Sequence, residues 1–334
     1  SLHDALPIYV ARVAGVSRGS ISNYINGRRT KPATQLKIEA AIEQLNYVPN
    51  ATARALKTNK SNYVVLIIPT VNTPFFSELS YHMQLSLNQF GYKMILCNSN
   101  SNPEDEIDYI QMANMQKVAG IITMSYSDIA DIVSPNIPLV AIEKPVSPQF
   151  PLVVSDNYAG GQLAAKQLQT LGAKKLLFIS KAPVKNISSI REKGFKDFCT
   201  KNNLSVSTFL ASDSPDFIND FEAFIINHTH NHDFAYDGIF SDADEYASDF
   251  WHLLMQQHID VPNTVQIIGF DAAHVYKRQK IFLSSIRQPV EAIAKTTVEK
   301  LYEQMASQHP VSQATITTLP VTFQQGFTTK KVRP

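Results

Sequence analysis

Apolar positions recur with two different periods along the chain, and the change comes near residue 62. Before it, the spacing is helical. It predicts short helices over Ile8–Ala14, Ser17–Asn26 and Thr34–Asn46. In the second, Ile21, Tyr24 and Ile25 fall at i, i+3 and i+4; in the third, Leu36, Ile38, Ala41, Ile42 and Leu45 share a face. Asn26-Gly27 ends the second helix, and Pro32 with Thr34 opens the third. Ser17 is the expected N-cap, because its hydroxyl can accept a free amide hydrogen of the first turn. Three short helices with a glycine-containing turn between the first two make a helix-turn-helix arrangement.

From Tyr63 onward, short apolar runs alternate with helical stretches. Strands are expected in 63–70, 92–99, 119–125 and 138–144, and again in 174–181, 206–212, 236–242 and 265–271. Helices are expected near 74–89 and 103–116, then near 160–171, 191–202, 215–227 and 245–258. Apolar strands joined through helices imply parallel sheets covered on both faces. Two such series imply two doubly wound α/β subdomains, which bind ligands at the carboxyl ends of their strands.

Charge sharpens this division. The chain has 334 residues and a net charge of +1, with 30 Lys and Arg against 29 Asp and Glu. Residues 1–60 hold nine of the bases and three of the acids, so a basic head precedes a mildly acidic body. That points to a polyanionic partner for the head alone. No apolar run reaches the length of a membrane span, and the start lacks the basic and apolar segments of a signal peptide. Cys97 and Cys199 form no short-range ligand pair and read as buried thiols of a reducing, cytoplasmic compartment.

The exposed face of the second helix now acquires a purpose. A helix that enters a major groove about 12 Å wide needs short side chains near phosphates and a few longer ones aimed at bases. Ser20 and Ser22 can donate to phosphate oxygens, Arg18 suits a guanine edge, and Asn23 suits adenine. Gly19 leaves room for the groove wall.

The run AGVSRGSISNYING, followed by KIEAAIEQLNYVPNATARAL, resembles the head of the LacI/GalR family of bacterial transcription repressors. The resemblance implies a hinge helix after Pro49-Asn50 that forms on operator DNA, two of them lying in the minor groove of a dimer's site with a leucine wedged into the central base step. The matching residues are Asn50, Ala53 and Leu56. With them, the DNA-contact set is Ser17, Arg18, Gly19, Ser20, Ser22, Asn23 and Asn26 in the head. The hinge segment is short and sparsely apolar, so it should be marginal as a free helix. A wedge there would bend the duplex at a cost of a few kcal/mol offset by added contacts. The opening departs from the family's pattern: Leu6-Pro7-Ile8-Tyr9-Val10-Ala11 stands where relatives usually carry Thr-Ile-x-Asp-Val-Ala, so cap and phosphate contacts of the first helix are not carried over.

The body, through NTPFFSEL, VVSDNYAGG, SSIREKGF, IIGFD and LSSIRQPV, resembles the periplasmic-binding-protein-like core of that family. The organisation implied is a head over 1–48, a hinge over 49–61 and a core over 62–330. The core's N-subdomain would take 62–157 and 288–314, its C-subdomain 158–287 and 315–330, with crossings near Asn157, Ile286 and Ala314. An effector in the cleft would change the angle between subdomains and the spacing of two DNA heads. Carried over by motif position, its ligands are Asn72, Phe75, Glu143, Arg191, Asp271 and Gln288, with Trp251 a weaker alternative to Phe75 for stacking. Carboxylates with an arginine suit a sugar or sugar phosphate, because hydroxyls both donate and accept. Ala243 stands where sugar-sensing relatives often place asparagine, which leaves the sugar unnamed.

No catalytic signature is present: the chain lacks a nucleophile elbow, a phosphate loop and a dinucleotide fingerprint, and no cofactor is implied. His228, His230 and His232 lie in a polar stretch without a nearby cysteine and read as a surface loop, not a metal site. The expected protein is a homodimeric repressor of a carbohydrate operon on palindromic DNA, with no membrane partner. The alternative is a sugar carrier with a vestigial head, which would need an export signal and no basic helix-turn-helix.

Overall fold

The computed structural model describes residues 7–25, 28–47, 61–124, 129, 131–134, 137–183, 187–231, 233–274, 276, 280–306 and 315–331. It forms two compact units, Ser1–Ser61 and Asn62–Pro334. In the first, α1 (Pro7–Ala14), α2 (Arg18–Ile25) and α3 (Pro32–Gln44) enclose a core of Val10, Ala11, Ala14, Ile21, Ile38 and Ala41, with Tyr24, Ile25, Ile42 and Leu45 packed against it. Gly15 turns between α1 and α2 at φ +62°, in the left-handed region that glycine adopts without a steric penalty. Ser17 caps α2, its Oγ accepting from the Ser20 amide at 3.1 Å. The start of α3 is set by Pro32 in its first turn after Lys31, two residues before the expected Thr34. Leu36 does not join the core: it is 67% exposed, whereas Ile38 beside it is fully buried.

The second unit alternates strand and helix. In chain order it comprises β1 (Tyr63–Ile68), α4 (Pro74–Gln89), β2 (Lys93–Asn98), α5 (Pro103–Met115), β3 (Gly120–Thr123), β4 (Leu139–Ile142) and β5 (Leu152–Ser155). Then come α6 (Asn157–Thr170), β6 (Lys175–Lys181), α7 (Ile187–Lys201), β7 (Ser205–Ala211), α8 (Phe217–Asn227) and a small hairpin, β8 (Thr229–His230) with β9 (Asp233–Phe234). The last group is β10 (Gly238–Ser241), α9 (Asp244–Gln256), β11 (Gln266–Asp271), β12 (Ser284–Arg287), α10 (Val290–Ala306), β13 (Ile316–Leu319) and β14 (Thr322–Gln324).

Two six-stranded sheets result, in the orders β13-β5-β4-β3-β1-β2 and β14-β12-β11-β10-β6-β7. All pairings are parallel except β14 against β12. Each sheet carries an apolar cluster on either face, and inner strands β3, β4 and β10 are buried end to end, with β1 buried after Tyr63.

The chain passes between the two lobes three times: at Asp156, at Gln288-Pro289 and at Pro320-Val321. The third differs from the expected crossing near Ala314. Residues 316–319 pair parallel with 152–155 and so complete the first lobe's sheet before the chain moves over to β12.

Candidate functional site

On the head, Arg18, Gly19 and Asn23 are exposed and Ser22 is half-buried, while Ile21 points into the core. Ser17 and Ser20 share a hydroxyl hydrogen bond at 3.0 Å beside the cap, so the start of α2 is held before any partner arrives. Tyr24 fixes α2 to α3 through its hydroxyl, which donates to Glu39 Oε1 at 3.0 Å. Asn26, Asn50, Ala53 and Leu56 lie outside the described residues.

In the second unit a cavity of about 700 Å³ opens between the lobes at the carboxyl ends of both sheets. Asn72 and Phe75 reach it from the start of α4; Arg191, Asp242, Asp244 and Asp271 face it from the second lobe; Gln288 lies at a crossing. Phe75 is 5% exposed, with its ring edge against Phe76, so it belongs both to the first lobe's core and to the cavity wall. Trp251 packs against the second lobe's core and is not among the cavity's lining residues.

Arg191 is fixed with care. Its helix, α7, lies against α6 at two glycines. A Cβ on Gly161 would stand 2.1 Å from the Arg191 carbonyl oxygen, and one on Gly194 would stand 2.1 Å from the Tyr158 carbonyl oxygen. The guanidinium lies 3.5 Å from the Phe270 ring centre; its Nε donates to Asn157 Oδ1 at 2.7 Å and its Nη1 to the Asp242 carbonyl oxygen at 2.7 Å. Asn157 is itself held by Glu143, whose Oε2 accepts from Asn157 Nδ2 at 2.7 Å while Oε1 accepts the Ser155 amide at 2.8 Å. Glu143 therefore does not line the cavity as the motif suggested. Its carboxylate sits at the crossing and reaches Arg191 only through Asn157.

The aspartates differ in their partners. Asp244 accepts from the Ser285 hydroxyl at 2.6 Å and the Ala272 amide at 2.7 Å. Gly269 makes this possible, because a Cβ there would meet Asp244 Oδ1 at 2.2 Å. Asp271 accepts from Gln288 Nε2 at 2.6 Å, and the Ser155 hydroxyl donates to Gln288 Oε1 at 2.7 Å. Burial raises the Asp271 carboxyl above the ordinary carboxylate range; Arg191 opposes the rise and Asp244 adds to it. Burial likewise raises Asp244 and Asp242, against the hydrogen bonds that stabilise their ionised forms. Among the described residues no ion pair within 4.0 Å joins Arg191 to these carboxylates.

Across the cleft, Glu78 of α4 and Arg287 of β12 form a two-bond ion pair, and the His274 amide donates to Glu78 at 2.8 Å. Burial alone would raise the Glu78 carboxyl, but the hydrogen bonds from Arg287 and His274 hold it below its ordinary value. Sequence reading missed this pair, and it missed Asp242 and Asn157 as well.

Among the described residues no His, Cys, Asp and Glu group is placed to hold a metal ion. His228 stacks on Phe224 with ring centres 4.0 Å apart, and His232 is outside the described residues. No helix of the described residues is long and apolar enough to cross a membrane.

Residues 9–50 match the bacterial regulatory proteins of the lacI family, and residues 165–329 match a periplasmic binding protein-like domain. The sucrose operon repressor of Streptococcus mutans serotype c is 32% identical over 316 residues, covering 90% of this chain and 92% of that protein. The chain belongs to the lacI family of bacterial regulatory proteins. It is a DNA-binding transcriptional regulator and not an enzyme. A periplasmic binding protein/LacI transcriptional regulator from Alkaliphilus metalliredigens QYMF, complexed with D-xylulofuranose, is 28% identical with a TM-score of 0.69, covering 81% of this lacI-family chain and 100% of that one. The lac repressor dimer bound to operator and the anti-inducer ONPF shares the fold at 19% identity and a TM-score of 0.82, covering 97% and 99%.

Proposed function

We propose that this lacI-family regulator is a cytoplasmic, homodimeric repressor of a carbohydrate-utilisation operon, released from a palindromic operator by a sugar bound between the lobes of its core. The observation that carries the reading is the cavity's polar lining: Arg191, Asp242, Asp244 and Asp271 reach one space with no ion pair within 4.0 Å among them. Such an array suits hydroxyl groups, which donate to carboxylates and accept from a guanidinium. In this reading Asn72, Phe75, Arg191, Asp271 and Gln288 touch the sugar, and Glu143 positions Arg191 through Asn157.

On DNA, Ser17, Ser20 and Ser22 hold the backbone, Arg18 and Asn23 read base edges beside Gly19, and Asn26 is a further contact that the resemblance implies. Residues 49–61 serve as the hinge between a head at 1–48 and the core from 62, with Asn50 and Ala53 flanking the Leu56 wedge. Fluorescence anisotropy on a labelled palindromic duplex tests the scheme. DNA binding at low salt, reversed by sucrose, fructose or D-xylulose, is the expected result. Arg191→Ala should keep the DNA affinity and require at least about tenfold more sugar for release. An unaltered sugar response in that variant, or indifference of the protein to duplex DNA, would sink the proposal.

A further inference from the structure

Sequence points to a sugar or sugar phosphate as the effector; the acidic wall of the cleft separates them. Asp242, at the end of β10, is 4% exposed and lines the cavity. Its Oδ2 accepts from the Ser180 hydroxyl at 2.8 Å, and its main-chain oxygen takes Nη1 of Arg191. Its Oδ1 is buried without a hydrogen-bond partner of its own, while the Ser188 and Ser180 hydroxyls both favour the ionised carboxylate against its burial. A buried acceptor left unmade costs on the order of 1–3 kcal/mol, so this atom favours a ligand that brings a donor to it.

The surroundings point the same way. Asp244, Asp271, Glu245 and Asp249 share the cavity wall, against Arg191 and Lys280. The Tyr246 hydroxyl feels this field: burial raises it most, and the carboxylates of Asp242, Glu245, Asp213 and Asp249 raise it further.

The usual phosphate holders are taken. Arg191 spends Nε and Nη1 on Asn157 and Asp242 and lays its face on Phe270, so its two-pronged edge is not offered whole. Helix α9 reaches the cavity with Asp244 and Glu245 in its first turn, where an anion would otherwise be drawn by the helix dipole. Helix α4 begins with Pro74, which has no amide hydrogen, and its cap Thr73 accepts from the Phe76 amide.

We propose that the cleft selects a non-anionic polyhydroxyl ligand, neutral or amine-bearing, which donates a hydrogen bond to Asp242 Oδ1, and that it rejects the phosphate ester of the same sugar. The inference rests on the sugar-effector reading above. Asp242 is then the specificity-determining residue: its buried Oδ1 lacks a donor, and it stands with Asp244, Asp271, Glu245 and Asp249 in a wall that disfavours a further negative charge.

Titration calorimetry on the full chain tests this with sucrose, fructose, D-xylulose, glucosamine, sucrose 6-phosphate, fructose 6-phosphate and xylulose 5-phosphate. At least one uncharged or amino sugar should bind at least about tenfold more tightly than its ester. Asp242→Asn, which removes the carboxylate's charge and one of its two acceptors, should weaken the preferred sugar by about tenfold and narrow its margin over the ester. Thermal unfolding checks that this variant folds; if it does not, the wild-type comparison decides alone. An ester that binds as well as or better than its parent sugar overturns the proposal and leaves the sugar reading standing. If no member of the panel binds, the sugar reading falls, and this inference with it.

Discussion

Asp271 closes β11 with φ at +126°, and Ala272 follows at +47°, two consecutive non-glycine residues in the left-handed region. Such conformations cost about 1–3 kcal/mol each and survive only where their surroundings enforce them. Here the Gln288 side chain and amide both bond to Asp271, and Asp244 takes the Ala272 amide. The strain sets the carboxylate against the cleft, out of bulk water, which raises it. A carboxyl raised in the folded state stabilises the fold fully below the ordinary carboxylate range and loses that contribution as pH climbs through the raised value. The urea midpoint of the core should therefore fall between about pH 5 and about pH 8, and Asp271→Asn should flatten the fall. Equal pH slopes in the two proteins would contradict this account. Asp271, Arg191 and Gln288 were carried over by motif position from the family resemblance, and all three line the cavity. Glu143 was carried over in the same way, but its carboxylate is taken up by the Ser155 amide and Asn157 and does not line the cavity. Asp242 was passed over because an aspartate between a strand and a helix looks like ordinary turn chemistry.

The contact between α6 and α7 depends on the absence of two side chains. Gly161→Ala would push a methyl group into the Arg191 carbonyl and within 2.8 Å of the Phe195 amide nitrogen. Neither neighbour is a flexible chain end, so the helices must separate, at a cost of about 1–3 kcal/mol. The same shift draws Arg191 from its seat on Phe270. Chemical denaturation should show the lost stability, and calorimetry a matching loss of sugar affinity; a change in stability alone would mean that the helix pair does not set the arginine. Most helices and the long strands of both lobes were evident from periodicity. The exception among helices, α10, buries Val290, Ile293, Ala294, Thr297, Val298 and Leu301, a regular amphipathic stripe behind Pro289. That stripe was readable and was overlooked. β13 and β14 are a different matter. Their residues are mostly half-exposed, with little alternation, and their partners lie more than thirty residues away, so pairing and not local pattern makes them strands.

At the scale of the whole chain, two opposite charges are divided between two units, and each unit should answer to salt differently. The basic head, with nine bases against three acids in its first sixty residues, should bind duplex DNA by displacing counterions. If about six phosphates are neutralised, affinity should drop about 1,000-fold between about 50 and 200 mM salt. Sugar binding in the enclosed cleft should move little over the same range, because partly buried charges are weakly screened. Anisotropy and calorimetry across one salt series measure both; parallel losses would argue against a division of labour between head and core. The threefold passage of the chain between lobes has its own corollary. Neither lobe is an unbroken stretch of sequence, since the first borrows α10 and β13 and the second borrows β14 from beyond it. No single cut can liberate either lobe intact, so a protease nick in one lobe strands part of the other.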